Sequence, residues 1–279
     1  MTLAAGFKFE DPKAQGLSPI LLLSDSRYSW DTKFGDREYY DKGKKLHALA
    51  KNIFAVIAGT VLEAERALDQ FRKCLALSSS GSFEDLGIFL KSSFDSTITT
   101  WDDQTPYCLL GAISTKGDSK LFYAQPHVKK KSYKISELSQ DVKKSYAVIG
   151  CLYLEPKLQE KIDTFPRSGL FRLEHFMCLP DDSFPSGYDR KDRAIREAKE
   201  ISQHISMDFL EIVEDPKEVL VHPPLQSVLL LPSGPMQLNL YEIASSKQIT
   251  KKTISASEVR RASDPSDKAI VELNIRYSI

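Results

Sequence analysis

The stretch FAVIAGTVLEAERALDQFR, residues 54–72, changes its period at a glycine. FAVIA (residues 54–58) is a continuous apolar run of strand length, as expected for a buried strand. Gly59 then marks a turn. Thr60 with Glu63 forms a capping-box pattern that opens a helix. Beyond it Val61, Ala64, Leu68, Phe71 and Leu75 recur on one helical face. A buried strand therefore passes through a glycine into an amphipathic helix.

Upstream, TLAAGFKF (residues 2–9) reads as a strand, PKAQGLSP (residues 12–19) as a turn-rich hairpin loop, and ILLLS (Ile20–Ser24) as a buried strand. Downstream, Ser82 with Asp85 opens a second helix ending near Thr99. Residues 108–114 and 120–125 form strands joined at Gly117-Asp118. Residues 146–151 form a strand and 152–162 a helix. Residues 192–212 form a long helix with the stripe Ile195, Ala198, Ile201, Ile205, Phe209 and Ile212. Late strands fall at 228–231, 237–243 and 269–275, and the polar stretch 253–267 reads as a hairpin excursion. Blocks of strands alternate with pairs of helices, which points to sheets covered by helix pairs and not to a parallel βαβ sheet.

Composition narrows the classes. Lys plus Arg equals Asp plus Glu at 38 each, so no global field draws the chain to nucleic acid or anionic lipid. No apolar run approaches the ~18 residues of a membrane span. Residues 1–10 lack the basic and long apolar regions of a signal peptide, so a cytoplasmic protein is expected. Cys74, Cys108, Cys151 and Cys178 are scattered without a CxxC pair, and His47, His127, His175, His204 and His222 lack metal-ligand spacing. No cofactor and no metal are expected. The run Lys129–Lys131 reads as a solvated loop or, less simply, a docking patch for an acidic partner. The stretches 28–43 and 165–189 are aromatic-rich for loops. They fit either a subunit interface or segments folded back on the domain.

Four segments together resemble proteasome β-subunits and their bacterial relatives HslV and Anbu. TLAAGFKF is similar to the family's opening strand with its nucleophilic threonine. LLLSDSR (residues 21–27) is similar to its second strand, and KKLHAL (residues 44–49) to the strand bearing its lysine. Residues 54–72 resemble the family's next strand, glycine turn and first helix. Lys45 precedes Gly59 by fourteen residues, as the family's lysine precedes its turn glycine. The resemblance covers roughly residues 1–75. It implies an N-terminal nucleophile (Ntn) hydrolase fold, a four-layer αββα sandwich of two antiparallel sheets between helix pairs. One such domain is expected over residues 1–279, with insertions near 28–43 and 165–189 and a C-terminal strand extension over 244–279.

The resemblance also implies roles. A threonine hydroxyl needs a base, and a free N-terminal amine with a pKa near ~8 can serve. Once Met1 is removed, Thr2 would supply both nucleophile and base. Lys45 would lower the hydroxyl's pKa, Asp25 would hold that lysine, and the Gly59 N–H would stabilise the oxyanion. Cys151, in IGCL (residues 149–152), stands where the family has a supporting serine. Ser233, in PSGPMQLNL (residues 232–240), stands in a turn like the family's last one, with Leu230 where an aspartate is expected. The implied partners are a peptide or protein substrate, further copies in a ring, and an ATPase unfoldase. Two alternatives stay open: a non-catalytic proteasome-like scaffold, and a small-molecule amidase of the wider superfamily.

Overall fold

Strand β1 (Leu3–Lys8) is buried along its whole length. A computed structural model of the chain describes residues 2–9, 18–31, 37–40, 43–77, 83–114, 116–138, 146–163, 190–213, 221, 225–236, 252–253, 271–273 and 276–277. The chain is mixed α+β, and its described strands pair antiparallel. β2 (Ile20–Ser24) lies beside β1 with Ala4 opposite Ser24 and Lys8 opposite Ile20. β3 (Tyr28–Asp31) and β4 (Arg37–Tyr40) pair with each other. The stretch expected as an aromatic-rich loop is thus partly a hairpin. Its aromatics divide: Tyr28 is half-buried with its ring beside Lys45, whereas Tyr39 and Tyr40 stay 40% and 50% exposed.

β5 (Leu46–Ala50), β6 (Ile53–Ala58), β7 (Tyr107–Ile113), β8 (Ser119–His127) and β9 (Ser132–Leu138) form one sheet in that order. Helices α1 (Val61–Leu77) and α2 (Leu86–Thr97) lie between β6 and β7 in the chain. β9 was not anticipated. The Lys129–Lys131 run that hides it is a turn, with Lys131 in the left-handed region at φ 48°. β10 (Tyr146–Gly150) leads into α3 (Glu155–Asp163) and α4 (Arg190–Val213). β11 (Leu225–Leu231) turns into β12 (Gly234–Met236), and β14 (Val271–Leu273) also pairs with β11. β13 (Lys252–Thr253) pairs with β15 (Arg276–Tyr277). β10, β1, β2, β11 and β12 run side by side in the second large sheet. The expected insertion at 165–189, the strand at 237–243 and nearly all of 253–267 lie outside the described residues.

Strand alternation sorts the core into three clusters. Ala4, Leu22, Ile149 and Val228 of one sheet meet Phe54, Val56, Leu109 and Leu121 of the other. The opposite faces of β6, β7 and β8 pack Ile57, Leu110 and Phe122 against Leu68 and Phe71 of α1 and Leu90 and Phe94 of α2. Phe7, Leu23 and Leu229 pack against Leu158 of α3 and Ile201 and Phe209 of α4. Each such large side chain contributes about 2 kcal/mol by burial, and the helical stripes read from the sequence are the faces buried.

The capping-box pattern at Thr60 is not realised. The Thr60 hydroxyl donates to the Gln104 carbonyl at 3.0 Å. The Glu63 carboxylate instead accepts from Thr99 Oγ1 at 2.8 Å and from the Thr100 N–H at 3.1 Å. It ties the start of α1 to the end of α2. Among the described residues, no helix is long and apolar enough to cross a membrane.

Candidate active site

Asp25 comes immediately after β2, and its carboxylate is wholly buried. Oδ1 accepts the Leu3 N–H at 2.8 Å and Oδ2 accepts the Arg27 N–H at 3.0 Å. Lys45 Nζ donates to both oxygens at 3.0 Å. The Asp25 N–H in turn donates to the Leu3 carbonyl at 3.0 Å. Antiparallel pairing of β1 and β2 places that carboxylate against the residue next to Thr2. Lys45 lies one residue before β5 and is 1% exposed, so its ammonium crosses from one sheet to reach a carboxylate on the other.

An isolated buried charge costs several kcal/mol, and three donor groups making four hydrogen bonds to one carboxylate are what such a site requires. Burial is the largest influence on both partners. It pushes the Asp25 carboxyl up from its usual range, opposed by Lys45 and the backbone N–H donors. It pushes the Lys45 ammonium down, opposed by Asp25. The Tyr28 ring lies 5.6 Å from Lys45 Nζ, and its hydroxyl donates to the Lys44 carbonyl.

Thr2 is 4% exposed in the chain that carries Met1. Its carbonyl accepts the Cys151 N–H at 2.6 Å. Gly150 makes this approach feasible. It has φ +91°, and a Cβ there would fall 1.9 Å from the Thr2 carbonyl oxygen and 3.2 Å from Ala58 Cβ. Thr2, Gly150 and Ala58 therefore meet at one point, with Gly59 the next residue. Gly59 has φ +97°, and a Cβ there would sit 2.7 Å from the Gln104 carbonyl oxygen. Only glycine fits a left-handed backbone so close to another chain segment.

Cys151 is 1% exposed. Burial and the Asp25 charge push its thiol up to about 11, against the influence of Lys45. At neutral pH it is a thiol near the pair and not a nucleophile. Ser233 does not join the group. β11 runs with Gln226 opposite Ser24 and Leu230 opposite Ile20, so the exposed β11–β12 turn lies at the Ile20 end. Thr2 and Asp25 lie at the Ser24 end. The structure thus brings Thr2, Asp25, Lys45, Cys151 and the Ala58-Gly59 corner together and leaves Ser233 apart.

Gln226 is the residue that the sequence reading missed. It is 1% exposed on β11. Its Oε1 accepts the Lys45 N–H at 2.9 Å and the Leu46 N–H at 3.0 Å, and its Nε2 donates to the Gly43 carbonyl at 2.7 Å. Its signal was a lone amide in the apolar run LQSVLLL, in phase with the sheet-facing Val228 and Leu230. Among the described residues, no group of three or more His, Cys, Asp or Glu side chains could hold a metal ion. No protein-family model matches the chain, and no curated protein matches it significantly.

Proposed function

We propose that this chain is an N-terminal threonine hydrolase of the proteasome β-subunit, HslV and Anbu type, cleaving peptide or other amide bonds through an acyl-enzyme. The observation that carries the reading is the buried Asp25–Lys45 pair seated on the Leu3 N–H, one residue from Thr2. Replacing a buried ion pair by apolar residues is often neutral or stabilising, so stability alone is a weak reason to keep one. Perturbed titratable groups cluster where chemistry occurs. The three core clusters support the finer fold, a four-layer αββα sandwich.

With Met1 removed, the Thr2 amine takes the proton from Thr2 Oγ as the oxygen attacks the amide carbon. Lys45 stabilises the developing alkoxide, and Asp25 holds Lys45 charged. The Gly59 N–H donates to the oxyanion. The C–N bond then breaks, the leaving amine takes the proton, and an ester joins the acyl group to Thr2. Water then gives a proton to the Thr2 amine as its oxygen attacks the ester carbon, the ester C–O bond breaks with that proton passing to Thr2 Oγ, and the acid leaves. By the same resemblance, several copies form a ring enclosing the sites in the cytoplasm, fed by an ATPase unfoldase.

The test is hydrolysis of fluorogenic peptides by the Met1-free protein. Thr2→Ala should abolish turnover, and Lys45→Ala should lower kcat/KM by about 10²–10³-fold. Turnover that survives Thr2→Ala would refute the assignment. A second reading, a scaffold that kept the fold without the activity, is favoured by Cys151 in the serine position and by Ser233 at the far end of the sheet. It predicts a folded chain that retains Met1 or, freed of it, turns over none of these peptides.

A further inference from the structure

We propose that Gln226 is the positioning residue of the buried pair: its amide pins the segment carrying Lys45 to the sheet carrying Asp25. This rests on the hydrolase reading and adds to it the device that sets the lysine's place. Lys45 precedes the first residue of β5, where regular pairing has only begun. Its carbonyl accepts the Ile57 N–H at 3.1 Å, but its own N–H and that of Leu46 turn to the other sheet. One side-chain oxygen, Gln226 Oε1, satisfies both. The other end of the same amide holds the Gly43 carbonyl, and Gln226 lies opposite Ser24, the neighbour of Asp25.

A single side chain thus fixes four consecutive residues, 43–46, relative to the strand that leads into Asp25. The geometry selects glutamine. Both amide atoms are used, and three backbone groups would lose their partner with an apolar residue there. Tyr28 grips the same segment from the β3–β4 hairpin. Its hydroxyl reaches Lys44, and its ring lies where any side chain at Gly43 would come within 2.5 Å. Tyr28 and Gln226 together leave the Lys45 backbone little freedom, so the ammonium meets the carboxylate without a search.

The test compares the full-length protein with Gln226→Leu, Gln226→Glu and the control Leu229→Ala, a buried β11 residue packed toward α4. Lysine acetylation is mapped by mass spectrometry, with exposed Lys51 as internal reference. In parallel, a peptide β-lactone labels Thr2 across pH 5 to 9. Lys45 should be protected in the wild type and in Leu229→Ala. It should react about tenfold faster or more in Gln226→Leu, through loss of three backbone hydrogen bonds. Gln226→Glu, which keeps the acceptor for Lys45 and Leu46, should restore most of the protection. The pH profile of Thr2 labelling should shift in Gln226→Leu but not in Leu229→Ala.

Lys45 equally protected in wild type and Gln226→Leu would overturn the inference. If Gln226→Leu does not fold, Gln226→Glu and wild-type hydrogen exchange decide. Slow exchange at Lys45 and Leu46 in the wild type, with Lys45 still protected from acetylation in Gln226→Glu, supports the inference; free exchange at either amide, or Lys45 acetylated freely in Gln226→Glu, overturns it. A wild type that never labels at Thr2 would sink the hydrolase reading, while the Lys45 footprint would still decide whether Gln226 holds that segment.

Discussion

His47 stands two residues beyond Lys45 and is 6% exposed, with Nε2 lacking a hydrogen-bond partner among the described residues. Burial, aided by the Lys44 and Arg72 charges, pushes its pKa from 6.5 down to about 3. The folded chain therefore keeps His47 neutral at pH values where the unfolded chain protonates it. Stability must fall as pH drops from about 6.5 towards 3, by about 1.4 kcal/mol per pH unit from this group. Urea unfolding at pH 7, 5.5 and 4.5 should show that slope reduced in His47→Leu. An unchanged slope would mean that His47 is protonated in the fold. At this scale order and spacing made Thr2, Asp25, Lys45 and Gly59 legible as a set. Gln226 and the burial of His47 were not legible, because each depends on which distant segment packs against it.

Between elements, Glu63 is the most informative tie. Sequence spacing put it in a box with Thr60, but the α1–α2 packing brings Thr99 and Thr100 within its reach, and its carboxylate accepts from three donors there, the Thr99 N–H and hydroxyl and the Thr100 N–H. Glu63→Ala should cost about 2 kcal/mol by leaving those donors without their acceptor. It should lower the urea midpoint without changing the denaturant slope. A change below about 0.5 kcal/mol would show that water replaces the carboxylate freely. The helices α1 and α4 were legible because their apolar stripes repeat at helical period. The β3–β4 hairpin and β9 were not, since Tyr-, Arg- and Lys-rich strands on a partly exposed surface lose the alternation that marks a half-buried strand.

Across the whole molecule, close approach of the two large sheets governs the site, because Lys45 and Asp25 come from different sheets. Gly111 of β7 lies in the tight packing between them. A Cβ there would meet Ile20 at 3.0 Å, Leu230 at 3.2 Å and Leu22 at 3.3 Å. Gly111→Val should cost about 2–3 kcal/mol by forcing the sheets apart, read as a lower Tm; an unchanged Tm would mean that the gap has room to spare. The alternation of strand blocks and helix pairs made the mixed α+β class with antiparallel sheets legible. The turn at Ser233 was legible but the end of the sheet that it closes was not, because a short Ser-Gly turn looks alike at either end of a strand.

The proposed hydrolase chemistry stands on Thr2 as the reacting group. Its most direct test is the intact mass of tag-free protein before and after treatment with a peptide β-lactone. A chain lacking Met1 should gain one probe mass, mapped to Thr2. A chain that retains Met1, or a Met1-free chain that gains no mass, would contradict it.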